Sequence, residues 1–120
     1  MRVFKSTWFS RFTKKENISD DELRNVVNQL ESGQINANLG GGVYKERIAR
    51  TGEGKSGGYR VILFFRSGKR VFYIYGFAKA NKGNISNKEL KKLKQQAISM
   101  FSMTEIQIKD AVKNGILIEI

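Results

Sequence analysis

Val43-Tyr-Lys-Glu-Arg-Ile-Ala-Arg50, a glycine-rich loop, and Gly58-Tyr-Arg-Val-Ile-Leu-Phe-Phe65 decide the fold of this 120-residue chain. They read as two strands joined by a loop. Ser67-Gly68 then makes a tight connection to a third run, Arg70-Val-Phe-Tyr-Ile-Tyr-Gly-Phe77. Connections this short imply antiparallel pairing. The second and third runs are nearly continuous in aromatic and β-branched residues, as expected of central strands covered on both faces. Lys45, Arg47, Arg50, Lys55 and Arg60 crowd one end of this hairpin. Lys45 and Arg47 stand two apart and so share a strand face. The hairpin can bring Arg60 alongside them, and Lys79 follows the third strand. Gathering such cations costs Coulomb energy unless an anion, or Glu46, offsets it. A solvated basic edge that discourages strand aggregation is the plain alternative, but it does not call for convergence from three strands.

Outward from this core, Asn38-Leu-Gly-Gly-Gly42 reads as a turn into the first hairpin strand. Upstream, Arg2-Val-Phe-Lys5 reads as a short strand, followed by a helix to about Lys15 with Trp8, Phe9 and Phe12 on one side. A second helix starts at Ser19, where Glu22 completes a capping box and Ile18 and Leu23 form a hydrophobic staple. Leu23, Val26, Val27 and Leu30 then recur on one buried face, and Gly33 is a natural stop. Downstream, Ser86 and Glu89 repeat the capping box. Leu90, Leu93, Ala97 and Phe101 face inward there, and Lys88, Lys91, Lys92 and Lys94 face water. Thr104 and Gln107 open a last short helix ending near Asn114-Gly115, and 116–120 reads as a terminal strand. The predicted class is α+β: an antiparallel sheet of about four strands, two N-terminal helices and a C-terminal helix packed on it. Residues 1–120 read as one domain, with 104–120 as a C-terminal extension.

Composition narrows the partners. Twenty-two basic residues against 11 acidic ones leave a formal charge of +11, which attracts polyanions at long range. Nucleic acid is the leading partner class, with an acidic protein second. An anionic membrane surface is disfavoured, because no long amphipathic basic helix stands apart from the core. The apolar runs are too short to span a bilayer, and Met-Arg-Val-Phe-Lys-Ser lacks the apolar core of a signal peptide. With neither Cys nor His in the sequence, thiol catalysis, disulfides and the usual zinc sites have no residues to work with. Such a chain suits a reducing cytosol.

Gly54-Lys55-Ser56 superficially suggests a phosphate-binding P-loop. That motif needs a glycine where Ala49 stands, with a helix after the loop, and here a strand follows. ATP or GTP binding is therefore rejected. Fixed cations could instead cleave RNA without metal or histidine. Attack by a ribose 2′-OH needs a proton taken from that hydroxyl, stabilisation of the charged phosphorane, and a proton given to the leaving oxygen. Fixed Arg and Lys supply the second directly, and a lysine crowded by other cations can supply the first. Such a site works best where something else holds the substrate in line. Most aromatics sit at core spacings; Tyr59 and Tyr75, flanking the cations, are the best candidates to stack on a base, with a core role the favoured alternative for both.

Lys45-x-Arg47-x-x-Arg50, the glycine-rich turn and Gly58-Tyr59-Arg60 before an apolar strand resemble the RelE/ParE toxin superfamily. Leu39 to Arg50, Gly54 to Arg60, and Tyr75-Gly-Phe-Ala-Lys79 with Asn84-Ile85 are similar to the RelE-like toxins encoded beside a helix-turn-helix antitoxin. The resemblance implies a cytoplasmic bacterial toxin that enters the ribosome and cuts mRNA without metal or cofactor. It implies a cognate antitoxin, through which the complex binds operator DNA. By motif match, Lys45, Arg47, Arg60 and Lys79 would be catalytic. Arg47 and Arg60 would stabilise the phosphorane, and Lys45 or Lys79 would accept the proton. Arg50, Lys55, Tyr59, Tyr75 and Lys82 would contact RNA. Some relatives use a C-terminal tyrosine or histidines, and this chain has no His and no clear terminal Tyr equivalent. The gyrase-poisoning branch of the same superfamily and a non-catalytic nucleic-acid-binding module are the alternatives.

Overall fold

The computed structural model describes residues 1–50, 54–79 and 84–120, except the side chains of 50 and 54–57. The elements run β1 (Arg2–Ser6), α1 (Thr7–Glu16), α2 (Asp20–Glu31), β2 (Ala37–Gly40), β3 (Val43–Arg50), β4 (Gly54–Phe65), β5 (Arg70–Ala78), α3 (Asn87–Phe101), α4 (Glu105–Lys113) and β6 (Leu117–Glu119). Among the described residues the strands form one sheet in the order β2-β3-β4-β5-β1-β6.

The class is α+β, but the expected sheet of about four antiparallel strands is corrected to a mixed sheet of six. β1 inserts between β5 and β6, parallel to β5 with Val3 opposite Val71 and Phe4 opposite Phe72. The turn read at 38–42 is partly strand. β2 pairs antiparallel with β3, and Gly41 and Gly42 at φ 62° and 82° form the two-residue loop between them. Both need the left-handed region that a primed hairpin turn demands. A Cβ on Gly42 would also stand 2.7 Å from the Phe101 ring. β4 starts five residues earlier than Tyr59, at Gly54, so Gly54-Lys55-Ser56 opens a strand and not a phosphate-binding helix.

Helices cover both faces of the sheet: α1 and α2 one face, and α3 with the short α4 read from Thr104 the other. α1 and α2 pack Phe9, Leu23, Val26, Val27 and Leu30 against Ile48, Tyr59, Val61, Leu63 and Tyr73. On the opposite face, α3 and α4 bring Ala97, Ile108 and Ala111 onto Val43, Ile62, Phe64 and Phe72. This division follows from strand alternation: odd positions of β4 face one pair of helices, even positions the other. Four helix starts are fixed by side-chain caps at Ser6, Ser19, Ser86 and Thr104, the last three as full capping boxes. Each cap contributes on the order of 1 kcal/mol. The 104–120 segment is built into the sheet. β6 pairs with β1, and Ile108 and Leu117 are buried. Among the described residues no helix is long and apolar enough to cross a membrane.

Two side-chain expectations change. Lys94 does not stand in water with Lys88, Lys91 and Lys92; its stem lies across Gly40 and Gly41. Trp8 is no core residue: it is 46% exposed.

Candidate functional site

β3, β4 and β5 deliver the cations to the sheet face that α3 covers further along. Arg47 stands directly opposite Arg60 across the β3–β4 ladder, and Lys45 opposite Ile62. The three side chains therefore share one face. On its other side Arg60 is opposite Phe77. Lys79 follows β5, exposed, with its backbone N–H donating to the Gly58 carbonyl at 3.1 Å. It is thus set two residues beyond Phe77, as Gly58 is set two before Arg60. The hairpin register alone brings Arg47 and Arg60 together, with Lys45 beside them and Lys79 at the rim.

The environments differ within this cluster. Arg47 is exposed, whereas Arg60 is 6% exposed, with one Nη donating to the Tyr59 carbonyl at 3.3 Å. Burial, and after it the charge of Arg47, lowers the proton affinity of the Arg60 guanidinium. Arginine nonetheless stays cationic at neutral pH. A guanidinium partly stripped of water, facing a second guanidinium, is stabilised by whatever anion sits between them. Lys45 is steered by Asn84, whose Oδ1 accepts from its Nζ at 3.1 Å. This ties β3 to the segment that leads into α3.

Glu46, considered above as a counter-charge, lies on the other face of β3. It is buried there, accepting from the Asn36 N–H at 3.1 Å. Asn36 in turn accepts from the Arg47 N–H at 2.8 Å. This reciprocal pair clamps the β3 backbone under the cations and leaves Glu46 behind the sheet. Tyr59 is also on that far face. It is 4% exposed, its hydroxyl donates to Glu16 at 3.1 Å and its ring meets the edge of Phe12. The structure therefore places Tyr59 in the core, away from the cations. Tyr75 is half-buried and on the cation side of β5, between Trp8 at 4.7 Å and Phe77 at 5.9 Å. The side chains of Arg50 and Lys55, and residue Lys82, lie outside the described residues.

Sequence reasoning missed Asn84, Asn36 and Phe77. Counting by twos along β5 from Lys79 would have put Phe77 and Tyr75 on the cation face. Asn84 entered only through the resemblance, with no role, and Asn36 gave no signal, because each acts across a tertiary contact. Among the described residues no group of three or more carboxylates is placed to hold a metal ion. The strands thus gather guanidinium and ammonium groups on one sheet face, a chemistry that can pair with an anion such as a phosphodiester.

The whole chain, residues 1–120, matches the family described as RelE toxin of RelE / RelB toxin-antitoxin system. The protein belongs to that family, and so to the toxins that are paired with an antitoxin.

Proposed function

We propose that the protein is a ribosome-dependent mRNA endonuclease that arrests translation without metal or cofactor. The observation that carries this reading is the buried Arg60 set across one strand spacing from Arg47. Two guanidinium groups so placed can hold a scissile phosphate and take up the charge of its phosphorane. The 2′-oxygen attacks phosphorus, its proton passes to Lys45 or Lys79, and the 5′-oxygen leaves with a proton. The products are a 2′,3′-cyclic phosphate and a 5′-hydroxyl. Asn84 sets the position of Lys45 in this scheme. Arg50, Lys55 and Lys82 are read as further RNA contacts, and Tyr75 as an aromatic contact on the cation side of β5.

Residues 1–120 are read as one toxin domain acting in the cytoplasm. Its antitoxin is of the helix-turn-helix kind, supplies carboxylates to the cation cluster, and carries the complex to operator DNA. The test is translation in a reconstituted bacterial extract, with primer extension on the mRNA. New 5′ ends that require ribosomes, lost by a factor of roughly 100–1,000 in Arg60→Ala, are the expected result. Growth arrest without such ends would move the target to DNA gyrase. Salt-dependent RNA binding with neither effect would leave a binding module.

A further inference from the structure

A second feature adjoins the cation cluster and plays no part in the chemistry above. β1 pairs with β5 only as far as Lys5 opposite Tyr73, so among the described residues no strand flanks the later part of β5 on that side. Ser6 Oγ donates to the Ile74 carbonyl at 2.9 Å, and from there α1 runs beside the uncovered edge. Between them is a groove of about 410 Å³, lined by Trp8, Arg11, Phe12 and Lys15 of α1 and by Gly76 and Phe77 of β5. The absence of a side chain at Gly76 shapes it: a Cβ there would stand 2.5 Å from the Phe12 ring.

Three observations give the groove a chemistry. Trp8 is 46% exposed although it stacks on Phe12 at 5.5 Å, with an interplanar angle of 18°. The ring is also met by Tyr75 at 4.7 Å, so it is held from two sides while the residue stays open to solvent. Arg11 and Lys15 follow Trp8 by three and seven residues, the spacing that puts all three on one side of a helix. The carboxylate in the lining, Glu16, already accepts from the Tyr59 hydroxyl. Finally, Phe77 in the groove wall is the residue opposite Arg60, so the groove lies along the β5 edge, one strand from the strand that carries Arg60, with α1 on the other face of the sheet. Stacking surfaces flanked by cations are how proteins hold single-stranded nucleic acid.

We infer that the groove is a base subsite. It seats one unpaired nucleobase of a single RNA strand against Trp8, with Arg11 and Lys15 on the adjoining phosphates, next to the phosphate held by Arg47 and Arg60. This rests on the reading of that cluster as an RNA-cleaving site, and it gives the toxin a preference at a base beside the cut.

The sequence contains a single tryptophan, so intrinsic fluorescence reports on this groove alone. The probe is a single-stranded 2′-O-methyl RNA hexamer, which lacks the attacking hydroxyl. Titrated into the wild-type protein, it is expected to quench Trp8 saturably. An abasic strand of equal length should bind at least roughly tenfold more weakly and leave the fluorescence unchanged. Arg60→Ala should keep the quench while losing cleavage, and the double variant Arg11→Ala/Lys15→Ala should lose the quench with its circular dichroism intact. Quenching by the hexamer from a protein that cuts no mRNA on ribosomes would sink the nuclease reading and keep the subsite. Arg60-dependent cleavage from a protein whose Trp8 ignores the hexamer would do the reverse. Equal quenching by the abasic strand or by polyglutamate would also overturn the subsite, because it would mark a charge-selective surface open to acidic protein.

Discussion

Arg2 and Arg60 are both strand arginines, set near opposite ends of the sheet, and their surroundings act on them in opposite senses. Arg2 donates to Glu119 at 2.9 Å and to Glu105 at 2.7 Å, and these carboxylates, Glu119 first, raise its affinity for its proton. Beside it, Arg70 donates to Glu105 and to the Met103 carbonyl, both at 2.6 Å. Arg60 is held the other way, by burial and by a second cation. The first end locks α4 and β6 onto β1 and β5 with matched charge. At the second, folding disfavours the charged form of a residue that cannot give its charge up. On the proposed function such a group is placed for what it binds, which is the usual relation between functional sites and stability.

The strongest way to break this comparison is Arg60→Ala. If the strand cations carry cleavage, ribosome-dependent cutting should fall by roughly 100–1,000-fold. The fold should survive, with a cooperative melt retained. A variant that loses activity and melts much earlier would make Arg60 a structural residue and erase the contrast. The mirror experiment is Arg70→Ala. It leaves the Met103 carbonyl unpartnered and should cost about 1–3 kcal/mol by urea denaturation, while cleavage per folded molecule stays at the wild-type level. Loss of cleavage without loss of stability in Arg70→Ala would show that the two ends are not separate in function.

How much of this could be read in advance depends on sequence range. The order β3–β4–β5 and its antiparallel sense were legible from the short connections, and Lys45 and Arg47 share a face by a two-residue count. That Arg60 joins them depends on a register with shifts at Ile48/Arg50 and Ile62/Leu63, which the sequence did not show. The capping boxes at Ser19, Ser86 and Thr104 were legible because each closes within three residues. The place of β1 was not. Its partner β5 lies some seventy positions away, and no local pattern in Arg2-Val-Phe-Lys5 distinguishes a parallel inner strand from an antiparallel edge. β2 was hidden for another reason: its Ala37-Asn-Leu-Gly40 has poor strand propensity and is held in the sheet by pairing with β3. Glu46 and Tyr59 were misplaced relative to the cations because nearness in sequence to Lys45 and Arg60 was weighed above alternation, which sends both to the far face. Trp8 was misread because its ring pattern matches a core helix, and only the end of β1 at Ser6 shows that the sheet stops beneath it.

The smallest effect, and the sharpest test of the neutralised end, is in the pH dependence of stability. Glu105 has its proton affinity lowered, first by its hydrogen bond from Arg70 and also by Arg2, and Glu119 likewise by Arg2. A carboxylate whose folded value is depressed stabilises the fold above its unfolded value, near pH ~4.3. That contribution is lost as pH falls through the lower folded value. The melting temperature of the wild type should therefore exceed that of Glu105→Gln at neutral pH, and the gap should close below about pH 4. High salt should narrow it at neutral pH too, because these carboxylates are solvent-exposed and their ion pairs are screened. The Arg60 end should contribute nothing to this acid transition, since its guanidinium keeps its charge throughout the range. A gap that persisted unchanged into strong acid would mean that Glu105 acts through packing and not through charge. The contrast between the two ends would then have to rest on Arg60 alone.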